Sequence, residues 1–331
     1  MGFRNEVVRS VNQFNFSMFG TLTGSRGTSI VQGKKHWLFE QGYVDLYGKE
    51  FDMRDGLRVS FVNRLQRLQN ALLARDIAFI LVISPSKSEI YPEYLPSRIH
   101  NRVAQAPPAR TYTILRQELE DAGVHVLDAH RTFEALKPDH AYLFPKTGTH
   151  WSYYGCFLAC NAMLVSLNAT DGLQIPVPRL DGVLMEPCKG SDNDLLRLLN
   201  LYGFEGQQES LMPYPKIAVE AAPVDARPNV LVVGDSFSFT LIDALRLGKA
   251  VGEVDLFYYF KRHFRYPASD TAEYMQDHVS VERGPLQRDA IDWQRTLLDK
   301  DIVILEVNEI MLSACGWGFV ESALKAMDIT P

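Results

Sequence analysis

No stretch of this 331-residue chain approaches the roughly 20 consecutive apolar residues of a membrane-spanning helix. The longest apolar runs, such as Ile77–Ile83, have strand length. The first residues show no secretory h-region, and Met1-Gly2 opens no myristoylation signal because position 6 is Glu. Excess positive charge is also missing. Lys and Arg total 34 against 40 Asp and Glu, a net charge of −6, which gives no global signal for nucleic acid. Cysteine is scarce, with only Cys156, Cys160, Cys188 and Cys315, and no two of these form a Cys-x-x-Cys pair. Cys156 and Cys160, four apart on a predicted helix near His150, read as small buried hydrophobes and not as metal ligands. There is no P-loop, no Gly-x-Gly-x-x-Gly and no His-Glu-x-x-His, so neither a cofactor nor a metal is expected. No internal repeat or low-complexity segment interrupts the chain.

What is present is ordinary globular composition, 46% hydrophobic and 22% charged, in a chain long enough to bury a large core. Strand-like runs at 77–83, 124–127, 230–233, 254–259 and 302–307 alternate with helical patterns at 58–75, 109–121, 236–248, 286–299 and 310–327. That alternation predicts an α/β fold with right-handed crossovers and a mostly parallel sheet. Residues 1–30 read as a peripheral helix and linker, and 31–331 as the main domain. Residues 168–228 break the rhythm: Pro176, Pro178, Pro187, Pro213 and Pro215 mark extended segments around a short helix at 192–201. They read as an insertion over one face of the sheet, a lid or groove wall.

The chain is organised around 228–242. The β-branched run Val230–Val233 ends at Gly234-Asp235-Ser236, and a helical pattern follows at once. Ser236 is thereby placed at the carboxyl edge of a parallel sheet, where open α/β folds carry their chemistry. The following helix N-terminus suits a developing oxyanion. The plain alternative is an ordinary turn with a helix cap. Two more groups fall at comparable positions: Asn308 ends strand 302–307, and His150 precedes an almost wholly apolar helix. Asn308 reads equally as an oxyanion donor or as a helix N-cap, and Asp235 as a structural turn residue.

Together these residues resemble the SGNH hydrolase family, with His150 standing before the serine in the chain, as though the last two strands had moved to the front. More narrowly, the chain resembles the AlgJ/AlgX-type polysaccharide O-acetyltransferases. The resemblance rests on Gly33-Lys-Lys-His-Trp-Leu-Phe, Pro85-Ser-Lys87 with Tyr91 and Glu93, Thr149-His150-Trp151, Gly234-Asp235-Ser236, and Leu305-Glu306 with Glu309. It covers roughly 30–165 and 229–326 and implies a circularly permuted three-layer sandwich around a flavodoxin-like five-stranded parallel sheet. By resemblance, the chain works in the periplasm or cell envelope. An acetyl donor or a membrane-bound partner would supply the acetyl group, and an exopolysaccharide such as alginate would accept it.

Ser236 is then the expected nucleophile, His150 the general base, and the Ser236 N–H with Asn308 the oxyanion hole. Trp151, Tyr153 and Tyr154 beside the histidine, Lys87, and Tyr258 and Tyr259 are expected to face sugar. Lys261, Arg262, His263 and Arg265 read as a positive groove for an anionic polymer or, alternatively, as a solvated loop. One departure matters. The family has an Asp two residues before the histidine, where this chain has Gly148. Three readings stay open: a Ser-His dyad steadied by a backbone carbonyl; another acid, from Asp128, Asp139, Glu306 or Glu309; or a degenerate site in a polysaccharide-binding subunit. If the dyad is merely impaired, Gly148→Asp is expected to speed acylation of Ser236. A carbohydrate acetylesterase using water as acceptor is the alternative enzyme.

Overall fold

The apolar runs become strands buried on both faces. The computed structural model describes residues 2–19, 22, 29–47, 53–103, 111–204, 211–220, 222–271 and 281–329. In chain order the strands are β1 (Ile30–Gln32), β2 (Leu38–Glu40), β3 (Ala78–Ser84), β4 (Val126–Asp128), β5 (Arg179–Pro187), β6 (Leu211–Ala218), β7 (Val230–Gly234), β8 (Val254–Tyr258), β9 (Arg262–Tyr266), β10 (Val281–Pro285) and β11 (Ile302–Asn308). The central sheet has the order β10-β9-β8-β7-β11-β3-β4. Its five members from β8 to β4 pair in parallel, and β9 and β10 extend one edge antiparallel. Counting from β7, with β3 and β4 placed after β11, the parallel strands lie in the order 2-1-3-4-5. That is the flavodoxin order, with the chain opened at a different point.

Alternation along each strand sorts side chains into two cores. Ala78, Ile80 and Val82 face one way, with Val230, Val232 and the helices Tyr153–Asp171 and Phe237–Leu247. Phe79, Leu81 and Ile83 face the other way, with the helices Asp55–Leu73 and Phe319–Ala326. Cys156 and Cys160 pack in the first core, where burial pushes both thiols up, Cys160 to about 12. Among the described residues, no group of three or more His, Cys, Asp or Glu is arranged to hold a metal ion. Among them, too, no helix is long and apolar enough to cross a membrane.

Three segments differ from the expectation. The proline-marked insertion forms an antiparallel hairpin, β5 on β6, with a short helix, Asp194–Leu199, in the connection between them. The helix expected at 286–299 is absent. Gly284 at φ 83 and Pro285 end β10, and only short turns at Arg288–Ala290 and Gln294–Leu298 follow. In the second of these only Thr296 and Leu297 are buried, too little apolar surface for a full helical stripe. The final helix begins only at Phe319, because Cys315, Gly316 and Trp317 take left-handed backbone angles just before it. The N-terminal helix Gly2–Phe19 lies against the insertion, where Arg9 and Asn12 donate to the carbonyls of Leu201 and Leu199. The loop expected after it falls largely outside the described residues.

The site end of the sheet is tied by one buried acid. Glu306 of β11 is fully buried and accepts from Ser84 Oγ at 2.6 Å, Ser238 Oγ at 2.8 Å and Asp235 N at 3.1 Å. Asp235 in turn accepts from Phe237 N and Asn308 N, both at 2.9 Å. Burial, reinforced by the nearby Asp235 carboxyl, holds the Glu306 pKa well above the usual carboxylate range, so Glu306 is the neutral member of the pair. A Cβ on Gly234 would meet Ser238 Oγ at 2.0 Å and Glu306 Oε2 at 2.8 Å, so only glycine lets this cluster close. Glu306→Ala would leave two hydroxyls and an N–H unpaired beside a cavity. It is expected to cost about 3–5 kcal/mol in urea unfolding. A loss below about 1 kcal/mol would show that these bonds do not hold the strand ends together.

Candidate active site

The strand-to-helix turn after β7 exposes Ser236 in part, because Gly234 and Asp235 are drawn down onto Glu306 while the chain turns into the helix Phe237–Leu247. Ser236 Oγ lies 2.8 Å from His150 Nε2. His150 Nδ1 lies 2.6 Å from Asp194 Oδ2. A carboxylate can only accept, so Nδ1 carries the ring proton and Nε2 is left to accept from the serine hydroxyl. The other Asp194 oxygen accepts from Thr149 N at 2.9 Å, which fixes the carboxylate against the histidine loop. Burial opposes a charge on the imidazole. Asp194, through its charge and its hydrogen bond, outweighs burial with help from Asp235 and Glu40, and the His150 pKa ends raised.

Asp194 belongs to none of the positions considered from sequence. It begins the short helix of the insertion, 44 residues beyond the histidine. Gly148 explains how it arrives. A Cβ there would meet Ser191 O at 2.3 Å and the Asp192 carbonyl carbon at 2.9 Å, so the insertion backbone occupies the space that an acid at position 148 would need. Thr147 Oγ1 donates to Asp192 O at 3.2 Å and Leu196 N to Thr147 O at 3.2 Å, seating the loop. Tyr214 of β6 braces it from behind: its hydroxyl accepts from Lys189 N at 2.6 Å and donates to Asp192 Oδ2 at 2.8 Å. The acids expected near His150 are occupied elsewhere. Glu309 pairs with His130 at 2.7 Å and accepts from Ser86 N, Glu306 ties the strand ends, Asp128 caps the helix Ala129–Leu136, and Asp139 is exposed.

Several other expected site residues are structural. Asn308 is fully buried. Its amide donates to Pro85 O and Ser84 Oγ and its oxygen accepts from Ile310 N, so it caps the turn after β11 and offers no donor to an oxyanion. Lys87 is buried with its ammonium on the carbonyls of Leu38, Lys146 and Gly148 at 2.7–2.9 Å, where all three protons are used to tie the histidine loop to β2. Trp151 is fully buried and donates to Phe237 O. Tyr154 is buried with its hydroxyl on His140. Alternation along β9 splits the basic run: Arg262, Phe264 and Tyr266 face the site, whereas His263 pairs with Asp255 and Arg265 with Glu253.

Two clefts meet at Ser236, His150 and Asp194 and share no other lining residue. One, of about 610 Å³, is walled by the insertion, the Phe237–Leu247 helix and β9, and includes Arg197 and Arg262. The other, of about 620 Å³, includes Glu40, Tyr43, Tyr258, Tyr259 and Met311. Tyr259 lines this cleft beside Ser236, and burial raises the pKa of its phenol, so it stays protonated. Its backbone is anchored to the turn that carries Ser236 by Tyr259 N on Gly234 O at 2.8 Å. Since an acid at position 148 collides with Ser191 and Asp192, Gly148→Asp is expected to displace Asp194 instead of restoring a missing group. An NMR titration of His150 would then give a lower pKa than in the parent chain. An unchanged pKa would mean that the seat tolerates the added carboxyl.

A family model described as an SGNH hydrolase-like domain, acetyltransferase AlgX, matches residues 30–246. Probable alginate O-acetylase AlgJ of Pseudomonas aeruginosa is 23% identical over 242 residues, which is 66% of this chain and 57% of that protein. The protein of the same name from Pseudomonas syringae pv. tomato is 25% identical over 139 residues, 40% of this chain and 32% of that one. The chain thus spans little more than half the length of these relatives, or less. In structure it is similar to the O-acetyltransferase domain of Pseudomonas putida AlgJ, with a TM-score of 0.51 and 20% identity over 86% of this chain and 92% of that one. A permuted flavodoxin-like sheet and a family match over more than half of its length lead to one assignment: the chain belongs to the AlgX-type acetyltransferase family of SGNH hydrolase-like domains.

Proposed function

We propose that this chain transfers acetyl groups, through an acetyl-serine intermediate, to hydroxyls of an exopolysaccharide such as alginate. The observation that carries the proposal is the continuous line Ser236 Oγ–His150–Asp194, with separations of 2.8 and 2.6 Å. Its support in kinship is the family match and the relatives named as alginate O-acetylases. Ser236 Oγ attacks the acetyl carbonyl and its proton passes to His150 Nε2, which returns it to the departing donor group. A sugar hydroxyl then attacks the acetyl-serine, gives its proton to the same nitrogen, and Ser236 Oγ leaves and is reprotonated. Asp194 holds the tautomer and balances the imidazolium. The Ser236 N–H at the helix start and the protonated Tyr259 hydroxyl are the donors for the oxyanion. With Asp194 in place, neither a bare dyad nor a degenerate binding site is needed to account for Gly148. An acetyl donor or a membrane-bound transfer partner, and action in the periplasm or cell envelope, belong to the same proposal.

Intact-mass spectrometry after mixing with p-nitrophenyl acetate is expected to show an added acetyl group on the parent chain and none on Ser236→Ala. Acetylation that persists in the variant would remove Ser236 from the mechanism. Asp194→Asn keeps the shape and removes the charge, and is expected to slow acylation by about 100- to 10,000-fold. A general base must be neutral, so activity rises as pH climbs through the His150 pKa. Because Asp194 raises that pKa, its loss should move the acidic limb of the pH–rate profile to lower pH. An unmoved limb would separate Asp194 from the imidazole.

A further inference from the structure

Double displacement poses a spatial problem: the donor and the acceptor must each reach one acyl carbon. The two clefts meet only at the three residues of the triad, and their remaining walls differ sharply in charge. Apart from the triad, the first carries Arg197 and Arg262 against a single acid, Asp243. The second carries Glu40 and no lysine or arginine. Arg197 comes from the same short helix that begins with Asp194, and its Nη2 is oriented by the Gly190 carbonyl at 2.7 Å. Arg262 comes from β9, with its guanidinium 5.2 Å from the Phe264 ring. Both side chains are exposed. Guanidinium groups on two walls, with the Phe264 and Tyr266 rings beside Arg262 on β9, fit a chain of carboxylate-bearing sugars.

We infer that the clefts divide the substrates: a polyuronate acceptor lies in the Arg197–Arg262 cleft, and the uncharged acyl donor enters through the cleft lined by Tyr43, Tyr258 and Met311. This rests on Ser236 as the acyl carrier and adds what the carrier serves on each side. The insertion thus supplies both the acid that holds His150 and an arginine that selects the acceptor. An uncharged donor avoids the arginine side, where it would gain nothing, and the acidic Glu40 side repels the polymer. The acceptor need not wait for the leaving group to vacate its own volume.

Calorimetry with the Ser236→Ala protein tests the acceptor cleft without turnover. An oligouronate is expected to bind more tightly than an uncharged oligosaccharide of equal length, and its affinity should fall with added salt. Adding Arg197→Ala and Arg262→Ala should weaken it by about tenfold or more, while Arg197→Lys with Arg262→Lys, which keeps the charge, should retain most of the affinity. Equal affinity for the two sugars, or no change in the alanine variant, overturns the assignment. The division itself is read by stopped flow. Saturating oligouronate should leave the first-turnover rate of p-nitrophenolate release from p-nitrophenyl acetate by the parent chain undiminished, even as it discharges the acetyl-serine, and competitive slowing of that first turnover would show one shared cleft. A parent chain that never acylates overturns the carrier role of Ser236 and the donor side with it, whereas the calorimetry still decides the arginine cleft.

Discussion

A single buried carboxylic acid sets the geometry on which the rest depends. Glu306 draws Ser84, Asp235 and Ser238 onto one side chain, so the ends of three neighbouring parallel strands close at a fixed distance. Taking such a group from water is unfavourable unless its lone pairs are met. Here two of the groups that meet them, the Asp235 N–H and the Ser238 hydroxyl, also shape the turn that carries Ser236. Asp235, which follows the strand and precedes the serine, is spent on the backbone of Phe237 and Asn308. The result is a turn in which the chain has no slack and Ser236 alone faces outward.

Above that rigid base sits a loop with a different logic. The segment Pro145–His150 is supported from below by the Lys87 ammonium, which spans three carbonyls, and from above by the insertion. Lys87 is costly to bury, as its lowered pKa reflects, and the Trp37 and Phe39 rings at about 5 Å help to hold it. The acid that completes the triad is therefore not part of the sheet. It arrives on a hairpin and short helix that pack against the N-terminal helix and one another. The triad geometry is met by a residue from a separate segment because geometry, not chain position, is what the chemistry requires.

Much of this was legible in the sequence, and the exceptions have physical reasons. Val230–Val233 and Ile302–Val307 announce buried parallel strands, because residues covered on both faces carry no polar alternation. The placement of Ser236 and His150 at the site follows from their positions at element ends. Asp194 was not legible. Its partner lies 44 residues away, and Gly-Ser-Asp-Asn-Asp before a leucine-rich helix looks like any acidic helix start. The one available hint was the pairing of a missing acid at Gly148 with an acid-led helix in a segment that breaks the α/β rhythm. Lys87 and Asn308 misled for the opposite reason: polar residues near a site read as functional, yet their hydrogen bonds are spent on backbone. The basic run on β9 contributes only in part, because strand alternation halves a charge cluster, sending Arg262 to the site face and Arg265 to the other.

Gly148 has a consequence for where the hold on the histidine comes from. Its missing side chain makes a socket, and the insertion backbone fills it. The sheet, the serine and the histidine are built on the two large cores, whereas the acid sits on a segment held by a smaller apolar cluster, Leu195, Leu199 and Phe204 with Ile30 and Leu38. Local opening of such a segment takes far less free energy than global unfolding. The brace on the imidazole is therefore only as firm as the packing of that small cluster. The setting of His150 thus depends on apolar contacts remote from the serine, on a segment that the parallel sheet does not include.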